Sequence, residues 1–552
     1  MKIKIASLLL IISGTIGLSS CNDYLNMTPT DSVSDKLIWS SETYANMAVN
    51  YFYSDIPYFG SFGDGQCLAG MTEGLTDEFK YGATTYNAYM YIPNEISYGG
   101  SVLTASYVNT YLGNWSTVYK DIRRVNEALS NLNKYGSSLS DDVKTRLTGE
   151  LRFFRGMYYF ELIKRYKQVI LYDKDLTQMS TNHVLNTEKE GWNFVENDLE
   201  YAGENLTASA DADDRITSGA AYALLSRAML YAKRWDIAKS AAEKVINSGL
   251  YSLTSNYADA WSDNSSEAIL QYSYDASASV THDFDSYYAP AGDKTYDGMS
   301  TTGGYGTPTQ DMVEEYELNG GGTADWTTWH TKTGTTETPP YDKLEPRFAA
   351  TILYNRSTWK SRTIEPYIGG DDGWATWLTD ATPEGKTTTG YYLRKLVDET
   401  HSFSERQAST QPWIAIRLAE VYLNYAEACH EKSDDATACT YIDKVRTRVG
   451  LPSIGNLTGD NFMTALRHER KVELAYEGLY YWDMRRWGLS ESAFTGIRRH
   501  GLKIVKNDDS FTYTYVEADR QNLNFPSKMY SYPLPQDELD NNSKVTQFTD
   551  WN

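Results

Sequence analysis

The chain has 552 residues, 41% hydrophobic and 22% charged, with a formal net charge of −22. That length can bury a large core, and the acidity excludes nucleic acid and a flat seat on an anionic bilayer, which like charges oppose; a neutral ligand such as a glycan is tolerated. Aromatics are the outlier, with 45 Tyr, 14 Trp and 16 Phe, rings that suit a wet binding surface as well as helix packing.

The first twenty residues predict a targeting segment. Lys2 and Lys4 form a basic start, and Ile5 to Leu18 form an apolar run too short and interrupted to span a membrane. Leu18-Ser19-Ser20-Cys21 resembles a bacterial lipobox, which makes Cys21 the lipidated first residue of the mature chain. Cleavage there removes two lysines and no acid, taking −22 to −24. Residues 21–36 read as the lipidated tether and 37–552 as one unit. The chain is long for a single domain, but helical repeat folds run long as one body. The other cysteines, Cys67, Cys429 and Cys439, have no zinc-ligand spacing and read as packing residues.

Helical character begins near Ser41. Further helices are predicted over Tyr107–Leu132, Asp141–Tyr166, Asn186–Asn205, Ser218–Lys233, Trp235–Asn247, Pro412–Glu431, Ala436–Val449 and Asp460–Glu477. The helix from Asp141 carries the stripe Val143, Leu147, Leu151, Phe154, Tyr158 and Leu162 behind an N-cap at Ser140. The Ala- and Leu-rich pair broken at Lys233-Arg234-Trp235 resembles a tetratricopeptide unit, which must stack on a neighbour to bury its apolar face. The predicted fold class is all-α: a tetratricopeptide-like scaffold of helical pairs over about 37–57, 99–271 and 412–490. Long irregular insertions rich in Gly, Thr, Asp, Tyr and Trp interrupt it at about 58–98 and 272–411. Long loops of aromatic composition are usually functional, and the two are expected to meet on one face.

Searches for catalysis find little. His430-Glu431 and His468-Glu469 lack the second histidine of a zinc protease, and Gly60 and Gly63 are not spaced as in a nucleophile elbow. Asp64 and Asp371-Asp372 are the acids to weigh for glycoside hydrolysis. Asp371-Asp372 is also suited to a structural calcium, without EF-hand spacing; otherwise no metal or cofactor is expected. The positive signal is loop aromatics, which can cover the C–H face of a sugar while polar neighbours bond its hydroxyls. The candidates are Tyr81, Tyr86, Tyr89 and Tyr91 near Asp64, then Tyr287, Tyr288, Tyr296, Trp326, Trp329, Trp374 and Trp377.

Leu466 to Gly488, LRHERKVELAYEGLYYWDMRRWG, places Glu469 and Glu473 one turn apart among Leu466, Val472 and Tyr476. Carboxylates on a core-facing side need cations, and Arg485 and Arg486 are the natural candidates. Arg417, Glu420, Glu427, Glu469, Arg470, Glu473, Arg485 and Arg486 are therefore assigned to a structural charge network.

This segment resembles the C-terminal signature of the SusD/RagB family of outer-membrane nutrient-binding lipoproteins. The resemblance recurs in order at Cys21–Leu25 with Thr28-Pro29, Gly149–Glu161, Ile416–Cys429, Ile442–Gly450 and Tyr532–Gln536. It implies a lipid-anchored protein on the extracellular side of the outer membrane. Such a protein binds oligo- or polysaccharide without catalysis and passes it to a SusC-like TonB-dependent transporter. A peptide-binding RagB-like member and a glycoside hydrolase are the alternatives. The family's ligand aromatics lie in corresponding insertions, but no motif fixes their positions.

Overall fold

In a computed structural model of the chain, residues 34–58, 72–81, 103–173, 183–208, 215–293, 303–375, 386–401, 409–519 and 521–552 are described. The main helices are α1 (Glu42–Tyr53), α2 (Trp115–Tyr135), α3 (Asp141–Tyr166), α4 (Glu188–Asn205), α5 (Ser218–Tyr231), α6 (Trp235–Asn247), α7 (Leu418–Glu431), α8 (Asp435–Arg448), α9 (Gly459–Glu473) and α10 (Tyr480–Arg486). Helices α2 to α8 each pack on the next, so they form the tetratricopeptide-like stack of helical pairs.

The α5–α6 and α7–α8 turns are built alike. Lys233 and Ser433 take left-handed φ of 55° and 63°. The next N–H in each, Arg234 and Asp434, donates back to the carbonyls of Met229 and Cys429 at 2.9 and 2.8 Å. Two turns of one geometry, about two hundred residues apart, are the repeat in physical form.

Helix α3 matches its predicted bounds. Ser140 accepts from the Val143 N–H at its start, with Asp141 and Asp142 in the first turn and Lys164 and Arg165 in the last. Its C-terminal half is buried all round, which an amphipathic stripe does not anticipate. The C-terminal segment closes its open side, with Tyr532 N donating to Arg165 O at 2.8 Å. Two charged residues of the buried face of α3 are paired: Arg155 Nε bonds Asp198 at 2.7 Å, and Glu150 is gripped by Nε and Nη2 of Arg215.

Several predicted elements change form. The helix expected over Tyr107–Leu132 is two, Ala105–Tyr111 and α2, broken at Leu112-Gly113-Asn114. The helix expected from Pro412 begins as a strand. Trp413–Arg417, with Ile414 and Ile416, pairs antiparallel with Ala268–Tyr272 before α7 starts. Helix α9 stops at Glu473 rather than Glu477.

The strands are β1 (Phe79–Tyr81), β2 (Ala268–Tyr272), β3 (Gly306–Pro308), β4 (Ile352–Leu353), β5 (Thr358–Trp359), β6 (Arg362–Thr363), β7 (Tyr392–Leu393), β8 (Trp413–Arg417), β9 (His500–Asn507) and β10 (Ser510–Glu517). They position the insertions. The β2–β8 ribbon clamps the later insertion where it leaves and rejoins the scaffold. Strand β1 of the earlier insertion pairs antiparallel with β3 of the later, Tyr81 opposite Gly306, so the two stretches meet. The unpredicted β9–β10 hairpin braces them from below, with Leu502 N donating to Thr389 O and Tyr513 bridging Thr335.

A buried ion network ties the insertion to the helices. Arg417 reaches Glu267, Glu473 and Glu477; Arg347 reaches Glu345, Glu469 and Glu473. Arg446 pairs Glu317 with Glu469, and Arg448 pairs Glu267 with Glu473. The cations of Glu469 and Glu473 are thus Arg347, Arg417, Arg446 and Arg448, not the expected Arg485 and Arg486. Arg486 instead clamps Glu427 and Asp483, and Arg470 also holds Asp483. Arg227 holds Glu420. Arg485 donates to the carbonyls of Met529 and Tyr530, its guanidinium 4.6–4.7 Å from the Tyr532 and Trp482 ring centres. The α9–α10 turn carries Arg485 and Arg486 to the other side of the helix end, so sequence proximity misassigned them.

Candidate functional site

Of the predicted ligand residues, Asp64, Tyr89 and Tyr296 lie outside the described residues, as do Tyr86, Tyr91, Trp377 and the lipidation site Cys21. Four others are interior, which corrects their assignment to an exposed platform. Tyr81 and Tyr288 are fully buried and meet hydroxyl to hydroxyl at 3.2 Å. Trp326 and Trp329 are 4% and 8% exposed, packed edge to face at 5.7 Å, and Trp329 Nε1 donates to Glu337 O. Three residues apart within a turn, both indoles fold into the core, Trp326 against Tyr341. Truncating either would cost packing.

Tyr287 and Trp374 are partly exposed. Tyr287 pairs with Tyr305, a ring that no sequence motif singles out, at 4.9 Å between centroids. Tyr305 comes into place because β3 follows it and is pinned by β1. Trp374 is held by a backbone bridge to Thr387, and Thr389 Oγ1 donates to Thr307 Oγ1 at 3.0 Å, joining this segment to β3.

The segments that carry these rings are joined by a lock of two acids and one arginine. Arg362 Nη1 and Nη2 donate to Asp372 at 2.7 and 2.8 Å, and Nε and Nη2 donate to Asp293 at 3.1 and 2.8 Å. Asp372 also accepts from the Gly292 and Glu365 N–H groups, both at 2.8 Å, and Asp293 accepts from Trp359 Nε1 at 2.9 Å. Burial pulls the Arg362 guanidinium toward neutrality, but Asp372 and Asp293 outweigh it and hold its proton more firmly than usual. Asp372 is buried with both oxygens engaged. It is a structural acid, held by one arginine and two backbone N–H groups. Among the described residues no three acidic, histidine or cysteine side chains converge as a metal would need. The lock joins Gly292–Asp293, β6 and the Asp372–Trp374 turn into one rigid base.

Other proteins share this architecture. Residues 266–551 match the model described as the SusD family, and residues 65–230 match one described as starch-binding associating with outer membrane. A SusD-like protein of Bacteroides ovatus is 26% identical over 68% of this chain and 65% of its own length, a little under two thirds. A solved SusD-like protein of Bacteroides fragilis superposes with a TM-score of 0.79 at 27% identity, covering 95% of this chain and all of that one. A second from the same species, described as a SusD-like carbohydrate binding protein, has the same fold at TM-score 0.76, 23% identity, 92% of this chain and all of its own. With more than half its length in the family match and the helical stack on the page, the chain belongs to the SusD family.

Proposed function

We propose that this protein binds neutral oligo- or polysaccharide at the cell surface without catalysis. It is held at the outer membrane by lipid on Cys21 and delivers its ligand to a TonB-dependent transporter. The observation that carries the reading is the Tyr287–Tyr305 ring pair, partly exposed on the same braced base as Trp374. An aromatic face covers the C–H side of a sugar, and open-face sites of this kind bind at roughly micromolar to millimolar Kd. The starch-binding description of the matching model and the carbohydrate-binding relative support the ligand class. Among the described residues no helix is long and apolar enough to cross a membrane.

The test is a binding screen of the mature chain from Asn22 against soluble glycans by calorimetry and affinity electrophoresis. Tyr305→Ala combined with Trp374→Ala should weaken any hit by about tenfold or more, read on protein whose circular dichroism matches that of the parent. Unaltered affinity in that variant moves the site elsewhere. Release of reducing ends on prolonged incubation would overturn the non-catalytic assignment.

A further inference from the structure

A cleft of about 390 Å³ opens at the seam between scaffold and later insertion, sharing no lining residue with the ring patch above. Its aromatic wall is Trp261, at the end of the short 3-10 turn Tyr257–Trp261 that precedes β2. Tyr257 meets the indole edge to face at 5.0 Å. The buried Lys395 ammonium lies 5.1 Å from the ring centre. The backbone on both sides is pinned: Gln411 Nε2 donates to Trp261 O at 2.5 Å, and His282 Nε2 is 2.9 Å from Gln411 O.

Three planar polar side chains line the same space. Arg394 Nε donates to Glu399 Oε1 at 2.6 Å and Nη1 to Ala349 O at 3.1 Å. Among the described residues these contacts leave Arg394 Nη2, Glu399 Oε2 and Gln411 Oε1 available at the cleft that Trp261 lines. The Arg394 and Glu399 side chains are 30% and 42% exposed, and an ion pair that open contributes little to stability. Its donors and acceptors can therefore turn to a ligand at small cost. The small side chains of Ala258 and Ala349 leave the space beside the ring unfilled. Charge is balanced across Arg394 and Glu399, which disfavours an anion. A flat ring flanked by alternating donors and acceptors fits a pyranose: C–H face on the indole, vicinal hydroxyls on guanidinium and carboxylate. The volume lies within the ~300–1,000 Å³ typical of small-ligand sites.

We propose that this cleft is a second carbohydrate subsite, taking a pyranose of a neutral saccharide against Trp261 with Arg394, Glu399 and Gln411 bonding its hydroxyls. The ligand class rests on the glycan reading above; the location does not. Two separate contacts on one chain would raise the avidity for a polymer.

The test uses the mature chain labelled with 5-fluorotryptophan, titrated with methyl glucoside, methyl galactoside and methyl mannoside up to roughly 100 mM, where a millimolar site saturates. The Trp261 fluorine signal, identified by its loss in Trp261→Phe, should shift saturably with at least one sugar. Ala349→Leu, which fills the cleft, and Glu399→Ala should each raise the midpoint about tenfold or more, while Tyr305→Ala leaves it in place. A Trp261 signal that stays fixed with all three sugars, or a shift that survives Ala349→Leu in a variant of unchanged melting temperature, overturns the subsite. Because Trp261 is read directly, failure of the Tyr287–Tyr305 patch to bind sugar would register separately.

Discussion

Glu473 shows how one carboxylate can serve as a structural node. Burial alone would push its carboxyl up, but Arg448, Arg417 and Arg347 more than reverse this and hold it well below the usual carboxylate range. Removing one member of a buried ion set leaves its partners uncompensated and costs about 3–5 kcal/mol. Glu473→Ala should therefore lower the melting temperature markedly and leave glycan affinity per folded molecule unchanged; calorimetry on the same samples checks both. The sign of the pH effect follows. A carboxyl depressed in the fold and near ~4.3 when unfolded stabilises fully above that value and loses its contribution as pH falls toward the folded pKa. Melting temperature should drop on acidification below about pH 5, and less steeply in Glu473→Gln.

Glu78 is the opposite case. It is fully buried with neither carboxyl oxygen hydrogen-bonded, and burial, then the neighbouring Glu73, push its pKa well up. The unfolded group ionises near ~4.3 while the folded one keeps its proton to higher pH. Folding is thus penalised above that pH and not below it. Glu78→Gln should raise the melting temperature at pH 7 by about 1–2 °C, and scanning calorimetry should show the gain vanish in acid.

Among the elements, α3 and α4 approach through glycine. A Cβ on Gly156 would sit 2.9 Å from both Cγ and Cδ2 of Leu199, and one on Gly149 would sit 2.9 Å from Leu206 Cδ2. Gly156→Val must spread the two helices or force Leu199 off rotamer, an overpacking cost of about 1–3 kcal/mol that chemical denaturation would measure. The helices themselves were readable because period and caps coincide, as at Ser140 for α3. Strand β8 was not, because Trp413–Arg417 continues an apolar run into α7 without punctuation. Its strand state depends on β2, about 140 residues earlier. The β9–β10 hairpin did leave a signal, the alternation Phe511-Thr512-Tyr513-Thr514-Tyr515 after Asp508-Asp509.

Across the whole molecule, a chain carrying −22 bears on what it can hold. Affinity for a neutral glycan should change little between ~50 and ~500 mM NaCl, because screening acts only on charge. A charged peptide or acidic polysaccharide would show a clear salt dependence in the same titration. The insertions meet through β1–β3, are clamped by β2–β8 and are rooted by Arg347 and Arg417 in the helical frame. Rings such as Tyr287 and Tyr305 are thereby held in place before any ligand arrives, which limits the ordering cost of binding.

Local order was written in the chain itself: helical period, caps, the repeat pairs, the need for cations near Glu469 and Glu473, and the family to which these motifs belong. Those features depend on neighbours a few residues apart, where propensity and hydrophobic spacing act directly. Which aromatics remain at the surface was decided only by tertiary structure. Trp326, Trp329 and Tyr81 carry the same local signature as Tyr287 and Trp374, yet pairing and packing across hundreds of residues bury the first three and leave the other two partly in water. The partners of the buried acids were settled in the same way, since an arginine's reach is fixed by where its backbone is carried.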